Sequence, residues 1–151
     1  ASTFVAGGSA NGAARVYTST NGSPFAAGSS ITFFPGFNGV VRTATADVTG
    51  DGVPDYIGGT GPGAASVSIV DGRTLQVVAT INPFEASFKG GVYVAAGDFD
   101  GDGKAEVIVT PDEGGGPVVV VYRGSELATG VAGEMARFFG IQDDGFRGGA
   151  R

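Results

Sequence analysis

Residues 94–109 read VAAGDFDGDGKAEVIV, and this stretch decides the fold. Residues 43–58 read TATADVTGDGVPDYIG and carry the same pattern 51 residues earlier. In both copies a run of small and apolar residues leads into a nine-residue acidic loop, and a second apolar run follows. Self-similarity at a period near 50 residues is typical of repeat architectures, so the repeat is taken as the unit of the fold.

The repeat organises the whole chain into one repeat domain, residues 1–151. We place approximate units at residues 1–36, 37–87 and 88–145, with 146–151 beginning a further unit. The first unit lacks part of its first strand and its acidic loop, since Phe4 aligns with Tyr56. The third unit is longer than the second, and we expect its extra residues, between Gly124 and Glu134, to form an extended loop rather than a short helical turn.

Each unit is predicted to hold short strands separated by turn residues such as Ser9–Gly12 and Thr60–Gly63. The predicted first strands are Val40–Ala46 and Val92–Ala96. The second are Phe4–Ala6, Tyr56–Ile57 and Val107–Val109, and the third are Ala14–Tyr17, Ser66–Val70 and Val118–Tyr122. The fourth lie near Ile31–Phe34, Gln76–Ile81 and Glu134–Phe139. Four strands per period of about 50 residues predict an all-β fold of β-propeller blades, each of four antiparallel strands, with about three blades per chain.

The composition excludes several kinds of chemistry. The 151 residues include 29 Gly but no Cys and no His. Without these side chains there is no imidazole base, thiol nucleophile or transition-metal ligand set, so we expect no enzyme activity. Any metal must therefore be bound by oxygen atoms.

The net charge of −6 comes from two short segments. Seven acids and one lysine lie in Asp47–Asp55 and Asp98–Glu106, and the remaining acids and bases are equal in number. No basic stripe is present to neutralise phosphates, which argues against a nucleic-acid partner. The longest clear apolar run, Val118–Tyr122, is far shorter than the roughly 20 residues of a membrane span, so no membrane insertion is expected.

The second acidic loop carries a pattern suited to a hard cation. Asp98, Asp100, Asp102 and Glu106 occupy loop positions one, three, five and nine. Calcium takes six to eight oxygens at about 2.3 to 2.6 Å, and a curled loop turns alternate side chains inward to supply them. Gly103 at position six allows the sharp turn, and Lys104 at position seven offers its backbone carbonyl.

The first acidic loop keeps most of this pattern. Asp47, Asp51 and Asp55 stand at positions one, five and nine, but position three holds Thr49. We expect a weaker site here because a neutral hydroxyl replaces a carboxylate.

The acidic loops have two other interpretations, an EF-hand and a simple hairpin turn. An EF-hand requires a Glu at position twelve and a following helix, whereas Gly58 and Val109 stand there within β-rich sequence. A lone cluster of Asp and Gly is commonly just a hairpin turn. Two nine-residue matches in register within a repeat favour metal binding over both.

The sequence resembles FG-GAP repeats, also called VCBS-type repeats, which occur in the integrin α-subunit propeller and in many bacterial surface and secreted proteins. Residues 94–109, 44–58 and 118–124 carry the resemblance. It implies two calcium sites per chain, in which Val53 and Lys104 contribute carbonyls. The implied ligands are Asp47, Thr49, Asp51, Val53 and Asp55 in the first loop, and Asp98, Asp100, Asp102, Lys104 and Glu106 in the second. Thr49 departs from the family pattern, as does Glu106, which replaces the usual Asp.

The blade count predicts self-association. Propellers of this family usually have six or seven blades, and three blades alone would leave open sheet faces and unpaired edges. We therefore expect a homo-oligomer, most simply a twofold dimer that forms a six-bladed ring.

The resemblance implies a non-catalytic, calcium-binding module of a bacterial-type secreted or cell-surface protein, serving as an adhesion-like scaffold for a protein or glycan ligand. The alternative is a carbohydrate-binding propeller lectin or an accessory domain of an extracellular carbohydrate-active enzyme. Aromatic clusters recur in each unit, and we expect them in the inter-blade core, with sugar stacking as the alternative. They are Phe33, Phe34, Phe37, Phe84, Phe88, Phe138, Phe139 and Phe146.

Overall fold

The computed structural model describes residues 1–8 and 11–150, so Ser9 and Ala10 of the predicted first turn, and Arg151, lie outside it. The described residues form three antiparallel sheets, in agreement with the all-β prediction. Within these ranges no helix is long and apolar enough to cross a membrane.

Each sheet corresponds to one predicted unit and is called a blade here. Blade 1 has the strand order β1-β2-β3, blade 2 has β4-β5-β6-β7, and blade 3 has β8-β9-β10-β11. Blade 1 consists of β1 (Ser2–Ala6), β2 (Ala13–Ser19) and β3 (Ala26–Thr32). Blade 2 consists of β4 (Val41–Ala46), β5 (Asp55–Thr60), β6 (Val67–Val70) and β7 (Val77–Ile81). Blade 3 consists of β8 (Val92–Gly97), β9 (Glu106–Pro111), β10 (Val118–Tyr122) and β11 (Glu134–Phe139).

Two of the predicted elements need correction. The fourth strand of the first unit was expected near Ile31–Phe34, but β3 begins at Ala26 and ends at Thr32. The extra residues of the third unit were expected to form a loop, yet they contain a short helix, α1 (Gly124–Leu127). The helical turn buries Leu127 completely in the core, which an extended loop over the surface would leave exposed.

Consecutive blades pack face to face through apolar side chains that alternate along the strands. Between blades 1 and 2 the buried core is Val5, Ala14, Val16, Ile31, Phe33, Val41, Tyr56 and Val70. Between blades 2 and 3 it is Val48, Ile57, Val67, Ile69, Ala79, Ile81, Val92, Ala105, Val107, Val109, Val120, Tyr122 and Leu127. Blade 2 is therefore covered on both faces, whereas blades 1 and 3 each have one face packed within the described chain.

The aromatic clusters lie only in part in the cores between blades. Phe33 is buried in the first core, and Phe84 packs against the second, as expected. Phe138 and Phe139 are 51% and 54% exposed, so the expectation of a buried core was wrong for them in this chain. Phe138 lies opposite Val119 at the position that Ile81 holds in blade 2, and no blade of the described chain packs on it.

A polar contact also ties blade 2 to blade 3. The Arg42 guanidinium donates to the Val92 carbonyl at 3.0 Å and to the Asp112 carboxylate at 2.5 Å. It also lies 3.9 Å from the centre of the Tyr93 ring. This combination of ion pair and cation–π contact holds β4, the first strand of blade 2, against β8, the first strand of blade 3.

The contact between blades 1 and 2 gives a test of the packing. A Cβ added to Gly58 of β5 would lie 2.4 to 2.7 Å from ring atoms of the buried Phe33. Gly58→Ala should therefore lower the free energy of unfolding by about 2 kcal/mol, the usual cost of overpacking a core. Gly28→Ala is the matched control, since its nearest neighbour would be 3.4 Å away. Equal urea midpoints for the two variants would contradict this packing.

Candidate metal centre

The two acidic loops occupy equivalent places in blades 2 and 3. The first joins β4 to β5 and the second joins β8 to β9. Strand pairing sets Ala46 opposite Asp55 and Gly97 opposite Glu106, so positions one and nine of each loop lie close together at the end of a hairpin.

The carboxylate at position one shapes each loop from inside. Asp47 accepts hydrogen bonds from the amides of Gly50 at 2.6 Å and Gly52 at 2.8 Å. Asp98 accepts the equivalent amide bonds of its own loop at 2.7 and 3.0 Å. The donors are glycines with φ between 75° and 85°, a conformation that residues with a Cβ rarely adopt. The shared network gives the two loops the same curl.

The acid at position nine is fully buried in both loops and bonds to backbone amides. In the first loop the Asp55 carboxylate accepts from Val48 at 2.9 Å, from Thr49 at 2.8 Å and from Gly72 at 3.0 Å. Burial raises the pKa of Asp55, while the amide bonds, led by that of Gly72, oppose the rise.

Glu106 plays the same part in the second loop. Its carboxylate accepts from the Phe99 amide at 2.8 Å and from the Gly124 amide at 3.3 Å. Gly72 and Gly124 both begin the turn that joins the third and fourth strands of a blade. The position-nine acid thus ties the acidic loop to a second hairpin.

The second loop brings three acids together. Carboxylate oxygens of Asp98, Asp100 and Glu106 all lie within 4.8 Å of one another. Oxygens that bind one calcium ion at about 2.3 to 2.6 Å stand no more than about 5 Å apart, so this donor set fits such an ion. Asp102, the fourth predicted acid, is outside the group, and its carboxylate accepts the Lys104 amide at 2.8 Å. Metal ligation by all five predicted residues of this loop, Asp102 and the Lys104 carbonyl included, stays a prediction.

The first loop differs at position five. The Asp51 carboxylate accepts the Val53 amide at 2.8 Å and also pairs with Nε of Arg73 at 2.8 Å. The Val53 amide bond is the main cause that lowers the pKa of Asp51, and Arg73 adds to it. In residues 1–8 and 11–150 no second group of three acids like that of the second loop occurs. The sequence predicted Asp51 as a ligand of this loop but gave no indication of its contact with Arg73.

The two loops are also in contact with each other. The Ala105 amide, at the end of the second loop, donates to the Asp47 carbonyl at 2.7 Å. The Lys104 side chain reaches over the first loop, where a Cβ added to Gly50 would lie 2.8 Å from Nζ of Lys104. Loops that are 51 residues apart in the repeat therefore share one surface.

Comparison with known families gave a match in blade 3. Residues 94–121 match the FG-GAP repeat. The match begins within β8, contains the whole second loop and ends within β10. Comparisons with curated proteins and with solved structures gave no match. The first loop lies outside the matched segment, and its relation to the FG-GAP repeat comes from the internal repeat of this chain.

The buried acid can be tested apart from any metal. Glu106→Gln places an NH₂ group where two backbone amides need acceptors, so at least one buried amide loses its partner. We expect a loss of about 2 kcal/mol in the free energy of unfolding, measured in chelator. Glu85→Gln, at an exposed acid, is the matched control and should unfold like the parent. If both variants unfold alike, Glu106 does not hold the loop as described.

Proposed function

We propose that the chain is a calcium-binding β-propeller module that acts as a non-catalytic interaction scaffold of a secreted or cell-surface protein. The observation that carries the proposal is the convergence of Asp98, Asp100 and Glu106 inside the segment that matches the FG-GAP repeat. FG-GAP repeats are typical of extracellular proteins and are generally non-catalytic. An adhesion-like role for this module follows from that context.

A calcium ion in the second loop would neutralise the negative charges of three neighbouring carboxylates. Asp98 and Asp100 are exposed, while Glu106 is buried, so the three carboxylates repel one another across a boundary between solvent and core. A calcium ion held by these three, by Asp102 and by the Lys104 carbonyl would remove that repulsion. Asp47, Thr49, Asp51, Asp55 and the Val53 carbonyl form the second proposed site.

Calcium binding predicts a measurable stabilisation. A ligand that binds only the folded state at 100 times its dissociation constant adds about 2.7 kcal/mol to the free energy of unfolding. For a domain of this size, the melting temperature should rise by about 5 to 10 °C when calcium replaces chelator. Asp100→Asn should lose most of this rise, whereas Asp144→Asn, at an exposed acid outside the loops, should retain it. Identical melts of the parent with and without calcium would refute both sites.

We infer that a second copy of the chain completes the propeller. The support is a comparison between the buried face of blade 2 and the equivalent open face of blade 3. The face of blade 2 that packs on blade 3 is buried, with Ile57, Val67 and Ile69 fully inaccessible. The strand registers place Ile108, Val119 and Val121 at the same positions of blade 3, where they are only partly buried. A further blade of the same repeat is the partner that this surface fits.

The opposite end of the chain offers such a blade. The open face of blade 1 carries Phe4, which stacks on Tyr17 with ring centres 5.3 Å apart and meets Phe25 edge-on at 5.0 Å. Phe4 is 39% exposed and Phe25 is 50% exposed. Burial of these rings against blade 3 of a second copy, at both ends, would close a six-bladed ring.

The ring predicts a dimer in solution. Sedimentation in calcium should give twice the mass of the chain. Phe138→Glu, on the open face of blade 3, should shift the protein to the monomer without unfolding it, because Phe138 is already 51% exposed. Val131→Glu changes an equally exposed residue outside that face and is the control. A stable monomer of the parent chain would rule out the dimer.

A further inference from the structure

Arg73 occupies the place of a cation in the first acidic loop. Its Nε donates to Oδ2 of Asp51 at 2.8 Å, and its Nη2 donates to the Asp51 carbonyl at 3.0 Å. One guanidinium thus binds both the side chain and the backbone of position five, which is a predicted calcium ligand. The contact joins residues 22 positions apart in the chain.

The turn after β6 holds Arg73 in this place. The Asp71 carboxylate accepts the Arg73 amide at 2.7 Å and the Thr74 amide at 3.0 Å. Immediately before Arg73, the Gly72 amide is bonded to the buried Asp55. The turn is therefore fixed against the loop at position nine, and the next side chain along reaches position five.

The second loop has no counterpart of this arginine. Gly124 holds the place of Gly72, since its amide bonds to Glu106. The residue that follows is Ser125, which has no charge. The acid equivalent to Asp51 is Asp102, which forms no ion pair within the described residues. The two loops share a backbone network, but within the described residues only the first has an arginine paired with its position-five acid.

We propose that Arg73 is a resident cation of the first loop, which competes with calcium for Asp51 and so sets the difference in calcium affinity between the two loops. The inference rests on the proposed calcium binding and adds a residue that controls it. Calcium must displace the guanidinium from Asp51 and then bind beside its positive charge. Without calcium, the same guanidinium holds position five in place.

The expected effect is moderate because the pair is partly exposed. The side chains of Arg73 and Asp51 are 58% and 28% exposed, so solvent screens their attraction. Removing the competitor and its charge should tighten calcium binding to the first loop about tenfold. Binding to the second loop should not change, since Arg73 bonds to no residue of that loop.

Calorimetric titration of the decalcified protein with calcium chloride tests the inference. The parent should show a tighter class of site, lost in Asp100→Asn, and a weaker class, lost in Asp51→Asn. Arg73→Gln should tighten the weaker class about tenfold and leave the tighter class unchanged. Arg15→Gln removes an exposed arginine of blade 1 and should leave both classes as in the parent.

The melting temperature in chelator gives a second measurement. Arg73→Gln should lower this temperature, although it tightens calcium binding. Without calcium, Arg73→Gln should melt about 1 to 3 °C below the parent, because the loop has lost its resident cation. In saturating calcium the variant should gain more stability than the parent does. A weak class of site that is unaltered by Arg73→Gln overturns the inference and leaves the calcium proposal standing. Absence of any tight class in the parent overturns the calcium proposal and, with it, the inference.

Discussion

The buried acids at position nine are the constraint on which the rest of each site depends. A carboxylate removed from water is costly unless hydrogen bonds or a charge compensate it. Asp55 and Glu106 meet this demand with amides from two places, their own loop and the turn that begins at Gly72 or Gly124. A blade that folds without bringing both hairpins together would leave these acids uncompensated. The geometry of the candidate metal centre is therefore part of the folding of the blade.

Packing between blades 2 and 3 fixes the position of one acidic loop relative to the other. The apolar faces of blades 2 and 3 form a single core, and Arg42 fixes the first strand of one blade against that of the other. The acidic loops both leave the ends of these first strands, so they must lie side by side. The hydrogen bond from Ala105 to Asp47 is the direct result. The two acidic loops consequently share one surface.

The repeat in the sequence predicted the blades, most of their strands and the positions of the acids, because those features depend on local pattern. It did not predict α1, since the helix exists to bury Leu127 in a core that spans two blades. It also missed Arg73, whose partner lies in another hairpin. The strand topology could have indicated that Arg73 lies near the first acidic loop. In a sheet of four antiparallel strands, the loop between the first two strands and the turn between the last two emerge at the same end.

The two loops show that shape and ligand set are separable in this repeat. Shape comes from the position-one carboxylate, the glycines beside it and the buried acid, all present in both loops. The residues that differ are Thr49 against Asp100 and Arg73 against Ser125, and none of them supplies the position-one or position-nine carboxylate of its loop. The charge at these positions can change while the loop keeps its shape. The acids at positions one and nine and the glycines beside them therefore determine the form of the loop, whereas the charge at the other positions differs between the two copies.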